Sequence, residues 1–289
     1  MQLDRGLYGV LIVEDPAEPG RYDREAVIVL DDWTDGIAKS PGQILARLLA
    51  NGMDHSEMPG MDHSMGGMHH GMDMPVKPSG PLGDDTGDIR YPLYLVNGRR
   101  AASSATLSAR PGERVRLRIV NAAADTAFRL ALGGHRLTVT HADGFPVLPV
   151  STDALLLAMG ERYDAILELD DGVFPLVAVA EGTWPPTAGP STGRPCTEVP
   201  RWRCGRGSGC GWCSTTSRPC STRCTCMDTF QVRQAGHRRP GPRTDTVIVR
   251  PGERVTVDFD AANPGRWMLH CHNAYHQAGG MMTELVYAG

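Results

Sequence analysis

The residues best suited to chemistry stand near the end of the chain: His270, Cys271 and His272 in a row, then His276 and Met281. A thiolate, an imidazole five positions on and a thioether five beyond that are three of the four ligands of a blue-copper centre, where Cys and two His are equatorial and Met is a weak axial ligand. One equatorial His must come from elsewhere. If the stretch is extended, side chains alternate, so His270 and His272 face away from Cys271 and can hold a second copper site, with the Cys271 backbone as the electron path between the two. The catalytic candidates are therefore Cys271, His270 and His272, and the candidate metal ligands are these three with His276 and Met281. Zinc is the rival metal, but structural zinc sites usually show paired Cys or His at short spacing, which this segment lacks.

A second group fills residues 51–75: Met53, His55, Met58, Met61, His63, Met65, Met68, His69, His70, Met72 and Met74. Thioether and imidazole suit cuprous and cupric copper, so an accessory copper-collecting loop is expected. The bland reading is an insertion with biased composition and no core pattern.

The elements that must position these groups are short strands. Arg110-Pro-Gly-Glu-Arg-Val recurs as Arg250-Pro-Gly-Glu-Arg-Val, each a Pro-Gly turn feeding an alternating strand (Val115, Leu117, Ile119; Val255, Val257, Phe259). Two copies 140 residues apart suggest two related β domains. Gly6-Leu-Tyr-Gly-Val-Leu-Ile-Val pairs in the same way with Gly280-Met-Met-Thr-Glu-Leu-Val-Tyr, so residues 1–16 read as the last strand of an earlier domain. Further strands are expected at 26–33, 91–98, 128–132 and 163–169, and only 43–50 looks helical. The fold class is all-β, a sandwich or barrel.

Composition agrees. The chain carries 34 Gly and 22 Pro in 289 residues, a turn-rich balance, and its net charge of -4 offers no footprint for nucleic acid or anionic lipid. No apolar run approaches the roughly 18 residues of a membrane span, and the start has neither a basic nor an apolar region of a signal peptide. Seven of the eight Cys lie between Cys196 and Cys226.

The His-Cys-His-x3-His-x4-Met pattern at 270–281 resembles the C-terminal signature of multicopper oxidases, the laccase and copper-resistance family. The resemblance implies cupredoxin-like Greek-key sandwiches, with Cys271, His276 and Met281 at the type 1 copper and His270 and His272 at the type 3 pair. It also implies a layout: 1–21 as the final strand of a missing first domain plus linker, 22–182 as a middle domain carrying the 51–75 insertion, 183–227 as an aberrant segment and 228–289 as the C-terminal half of the copper-binding domain. His135 and His141 in the middle domain then read as structural.

The family builds its trinuclear cluster from eight histidines, four of them in the first domain, and places three more copper ligands in a His-Pro-x-His-x-His-Gly segment. At that segment's place this chain has Thr222-Arg-Cys-Thr-Cys-Met227. One set of codons for these residues, ACC CGA TGC ACC TGC ATG, preceded by C and read one base earlier, gives His-Pro-Met-His-Leu-His. With the Arg, Gly, Cys and Trp richness of 194–213, this suggests a frameshift over about 183–227. A zinc or disulfide module is the competing reading of the Cys cluster.

The resemblance implies one-electron oxidation of phenolic substrates or cuprous ion coupled to reduction of O2 to water, with copper as cofactor and O2 and a small reductant or copper ions as partners. It also implies an exported protein, periplasmic or extracellular. Two alternatives stand: an inactive remnant or copper-binding module, and a one-copper electron-transfer cupredoxin, which would have no use for both His270 and His272. The 229–289 half is expected to have an unsatisfied sheet edge where the scrambled segment should pair, giving poor solubility or weak copper retention.

Overall fold

Val115, Leu117 and Ile119 alternate along one strand, and all three are buried. The computed structural model that shows this describes residues 1–15, 21–51, 82, 87–103, 105–181, 210–215, 222–232, 241–250, 254–260 and 264–287. The Met/His-rich stretch expected to collect copper, Met53 to Met74, lies outside the described residues, as does most of 183–227.

The stretch expected to form the middle domain contains β1 (Arg24–Trp33), β2 (Leu93–Val96), β3 (Arg114–Asn121), β4 (Phe128–Leu132), β5 (Leu137–Ala142), β6 (Phe145–Thr152), β7 (Leu155–Leu157), β8 (Arg162–Glu168) and β9 (Leu176–Ala180). One sheet has the order β2-β1-β3-β8-β5-β6 and the other β7-β4-β9. β1 runs parallel to β3, whereas β3 and β8 are antiparallel, so the chain crosses between the sheets as a Greek-key sandwich does. Ile28, Leu30, Leu117, Ile119, Phe128 and Leu157 fill the space between them. Their burial supplies the driving force that the short strands lack individually. Arg116, buried at 3% exposure, is tolerated because its guanidinium pairs with Asp164.

The C-terminal sheet contains β10 (Cys210–Thr215), β11 (Thr222–Val232), β12 (Arg243–Val249), β13 (Arg254–Phe259), β14 (Gly265–Cys271) and β15 (Met282–Tyr287). Its order is β10-β13-β11-β14-β15, with β12 on β11. Phe230, Val249, Val255, Val257 and Leu269 form its core. The expected unsatisfied edge is corrected here: β10 pairs with β13 over its whole length, and β11 pairs with β12, β13 and β14. Ladder bonds come from backbone N–H and C=O groups, so a segment with unsuitable side chains still completes a sheet.

Two helices occur. In α1 (Pro41–Asn51), Pro41 opens the first turn, while Ser40 N–H donates to Gln43 Oε1 at 2.8 Å and Gln43 N–H to Ser40 Oγ at 3.4 Å, a reciprocal cap. The second, α2 (Ala274–Ala278), was not anticipated. Asn273 ends the extended stretch by turning its side-chain oxygen onto the free N–H groups of Tyr275 and His276. β5, β6, β7, β9 and β12 also lie outside the strands expected from the sequence. Leu3–Arg5 is a single 3-10 turn, and residues 6–15 join no ladder among the described residues, with Leu7, Leu11 and Val13 exposed.

Candidate metal centre

β14 delivers Cys271 to the end of the sheet, and α2, beginning three residues later, swings His276 back over it. Cys271 Sγ and His276 Nδ1 are 3.5 Å apart, both residues being at most 5% exposed. Two donors on one first-row metal, with bonds of about 2.0 to 2.3 Å and an angle of about 110° to 120°, lie about 3.5 to 3.8 Å apart, so this pair fits a shared copper. The backbone brings the third expected ligand alongside. Cys271 N–H donates to Met281 O at 3.0 Å, and Met281 N–H donates to His276 O at 2.9 Å.

The opposite nitrogen of His276 has a partner that sequence spacing could not reveal. Nε2–H donates to Asp88 Oδ2, whose side chain is 6% exposed. A carboxylate can only accept, so Nε2 carries a proton and Nδ1 is the nitrogen turned to the sulfur. Burial works against a charged His276, but the Cys271 sulfur and the Asp88 carboxylate outweigh it and hold its pKa well above the usual histidine range.

Asn273 ties these parts together. Its Oδ1 accepts from Tyr275 N–H (2.9 Å) and His276 N–H (3.2 Å), and its Nδ2 donates to Asp88 Oδ2 (3.3 Å) and to Asp125 Oδ1. Asp125 in turn accepts Ile89 N–H at 2.9 Å, and Asp32 accepts the backbone N–H groups of Ala124, Asp125 and Thr126. Beneath α2, Tyr275 and Tyr91 both donate to Asp4, whose carboxyl is pushed up to about 6, chiefly by burial. Ile44 and Leu48 of α1 share a buried cluster with Ala124, Ala274 and Tyr275. The buried face of α2, which carries His276, is thus held by Asp4, Ile44, Leu48, Asp88, Tyr91, Ala124 and Asp125.

His270 and His272 lie side by side, ring centroids 5.8 Å apart and tilted by 36°. His270 Nδ1–H donates to Cys271 O at 2.9 Å, which leaves Nε2 as the ligating nitrogen. His272 Nδ1 is buried without a hydrogen-bond partner, a costly arrangement that a bound metal would relieve. Burial, and next His270, push the His272 pKa down to about 4, so the ring is neutral, as a ligand must be. The donor set fits copper in part. Among the described residues no group of three or more His, Cys, Asp or Glu side chains has the arrangement of a metal site. β11 runs beside the signature, Cys224 opposite Cys271 and Thr225 opposite His270.

His135 and His141 stand away from this centre. His135 donates from Nδ1 to Gly133 O at 2.8 Å and accepts Asp170 N–H at Nε2, while His141 lies beside Thr140 Oγ1 at 3.0 Å, so both have structural partners.

Comparison with known proteins places the geometry in a class. Two family models, each of multicopper oxidases, match residues 24–192 and 222–288. The chain belongs to the multicopper oxidase family, a family of copper-dependent oxidoreductases. It is 39% identical to multicopper oxidase MmcO of Mycobacterium tuberculosis over 348 aligned positions, covering 99% of this chain and 67% of that protein. Copper resistance protein A of Escherichia coli is 33% identical over 183 positions, which are 58% of this chain and 29% of the relative. Among solved structures, Fet3p, a multicopper oxidase that functions in iron import, superposes with a TM-score of 0.67 at 16% identity, covering 95% of this chain and 68% of that one. The multi-copper oxidase from Pseudomonas thermotolerans gives 0.66 at 21%, covering 99% and 73%. Both confirm the cupredoxin fold.

Proposed function

We propose that Cys271, His276 and Met281 are the type 1 copper ligands of an oxidase, that His270 and His272 serve its oxygen-reducing cluster, and that the substrate is a phenol or cuprous ion. The 3.5 Å approach of Cys271 Sγ to His276 Nδ1, beside the paired rings of His270 and His272, carries the reading. When bound, copper supplies the one-electron exchange and the centre at which O2 becomes water. The chain's own residues do the rest. Asp88 fixes the His276 tautomer, Asn273 holds both Asp88 and α2, and the one peptide step from Cys271 to either flanking histidine links the two ligand groups.

Copper ion is the favoured substrate. The Met/His-rich segment from Met53 to Met74, with His55, Met58, Met61, His63, Met65, Met68, His69, His70 and Met72 between, leaves from α1, which packs on Tyr275. The chain returns at Asp88, which touches His276. The described residues on either side of this segment, in α1 and at Asp88, thus lie beside the candidate electron entry. The reading also makes the protein an exported one, as the resemblance implies.

The second reading, an impaired remnant or copper-binding module, is favoured for this chain as written, since residues 222–227 offer no histidine for the remaining ligand positions. The register of β11 on β14 supports the frameshift account: the shifted reading would put histidine at 222, 225 and 227, on the strand beside His270 and Cys271. The test compares the chain with a repaired one carrying Thr222→His, Arg223→Pro, Cys224→Met, Thr225→His, Cys226→Leu and Met227→His. Bound copper, the blue charge-transfer band and O2 uptake with a phenol or cuprous ion are measured. Weak copper binding without turnover is expected before repair, and a blue band after it. An unchanged spectrum after repair would sink the frame reading, and turnover by the original chain would sink the claim of impairment.

A further inference from the structure

We infer that the Met159–Arg162 turn of the middle domain, which holds no candidate copper ligand of its own, is the seat of His272, with Gly160 as the positioning residue. This rests on the reading of His272 as a cluster ligand. Gly160 has φ +81, and a Cβ built on it would lie 2.3 Å from His272 Nε2, 2.4 Å from Cδ2 and 2.7 Å from Cε1. The whole outer edge of the imidazole therefore occupies space that any side chain at 160 would claim.

Neither partner can give way easily. Gly160 N–H donates to Asn121 O at 2.9 Å, Asn121 N–H donates to Glu161 O at 3.1 Å, and Glu161 Oε2 accepts Ala158 N–H at 2.6 Å. Ala158 and Met159 are fully buried. On the other side, His272 follows directly on β14 and precedes the Asn273 cap, so its backbone is fixed by the sheet and by α2.

Arg162 closes the seat. Its Nη1 donates to Gly160 O at 3.0 Å, and both Nη atoms bond Asp245 on β12 at 2.7 Å. Nη2 also reaches Asp143 O at 3.2 Å, and the Asp143 carboxylate accepts the N–H groups of Asp245 (3.1 Å) and Thr246 (3.2 Å). β12 pairs with β11, and β11 with β14, so the same clamp that grips the turn also grips the sheet carrying His272. The ring is pressed against Gly160 on one edge while its buried Nδ1 remains without a hydrogen-bond partner. The middle domain thus sets the direction of a ligand on the other domain, a precision that ligand sites require.

The test is a stability cycle on the full chain, read by denaturant unfolding. Gly144 has φ +84 with nothing within 4 Å of an added Cβ, so Gly144→Ala carries the same backbone strain without the collision. Gly160→Ala should lower the folded-to-unfolded ratio about tenfold or more beyond Gly144→Ala, as overpacking does. His272→Ala in the Gly160→Ala background should remove that excess, and in histidine-labelled NMR spectra the His272 ring signals should move in Gly160→Ala and stay put in Gly144→Ala. Equal losses in the two glycine variants, or no relief from His272→Ala, overturn the seat. If Gly160→Ala does not fold, folding of Gly160→Ala/His272→Ala supports the proposal and failure of both overturns it. Copper binding by His272→Ala separates the two levels: a completed cycle with unchanged copper stoichiometry would overturn the ligand reading and leave the seat standing.

Discussion

Asp88 precedes His276 by 188 residues, yet its carboxylate accepts the Nε2–H of that ring at 2.5 Å while Nδ1 faces the sulfur of Cys271. The electronic character of the candidate type 1 ligand is therefore set by the middle domain. Replacing Asp88 by Ala frees the tautomer and the ring angle together, and outer-shell losses of this kind cost about 10- to 100-fold in metal affinity. Competition with a chelator should show that loss, with Asp88→Asn in between because its amide oxygen can still accept. Equal affinity in all three proteins would exclude the role.

Asn273 does two jobs that can be separated. Asn273→Ala removes the helix cap, worth about 1 kcal/mol, and leaves the buried Asp125 carboxylate short of a donor, at about 1 to 3 kcal/mol. Urea unfolding should register about 2 to 4 kcal/mol in all. Asn273→Ser keeps a capping oxygen and loses the amide donors, so it should recover only the smaller share. A Ser variant as stable as the parent would show that the contacts to Asp88 and Asp125 contribute nothing.

Buried carboxyls in β1 give stability a pH dependence of definite sign. Burial, followed by Asp32, pushes Asp31 up to about 7 even though Tyr8 donates to it at 2.7 Å. The unfolded value is 3.8, so between about 4 and 7 the folded state holds the proton that the unfolded state has lost. This contribution is fully present below about pH 4 and is lost as pH rises through about 7. Asp31→Asn, which cannot ionise, should therefore be more stable than the parent near pH 8 and lose that advantage near pH 5. Melting curves at the two values decide it, and a constant difference would contradict the assignment.

Arg162 neutralises two carboxylates of different domains. Asp143 is raised to about 6 by burial and by Asp245, and Arg162 opposes that rise. Arg162→Ala leaves the two acids facing each other and, with Arg162 36% exposed, should destabilise by about 1 to 2 kcal/mol. Adding Asp245→Asn should restore part of the loss. Additive effects in the double variant would mean that the pair does not couple across the domains.

Much of this molecule was legible from local chemistry. The spacing from His270 to Met281 identified the family, and alternation at Val115, Leu117 and Ile119 identified a core strand, because motif spacing and side-chain period are written in consecutive residues. The paired rings of His270 and His272 likewise follow from their places on either side of Cys271. α2 escaped because five residues are too few to show a helical period, and the cap that starts it is a single Asn. The closed sheet edge escaped for the opposite reason. Residues 210–215 and 222–227 look wrong as side chains, and ladder formation depends on the backbone.

The sequence by itself determined which atoms are available to bind copper: one thiolate, three imidazoles and a thioether at the end of the chain, with no histidine at 222–227. Only the tertiary structure decided how those atoms are held. Asp88, Asn273, Gly160 and Arg162 act through contacts across the fold, the His276–Asp88 bond bridging 188 residues and the Arg162–Asp245 pair 83. No periodicity or spacing encodes a contact of that length, because it exists only when the sandwich and the C-terminal sheet pack and bring a carboxylate or a missing Cβ against one ring.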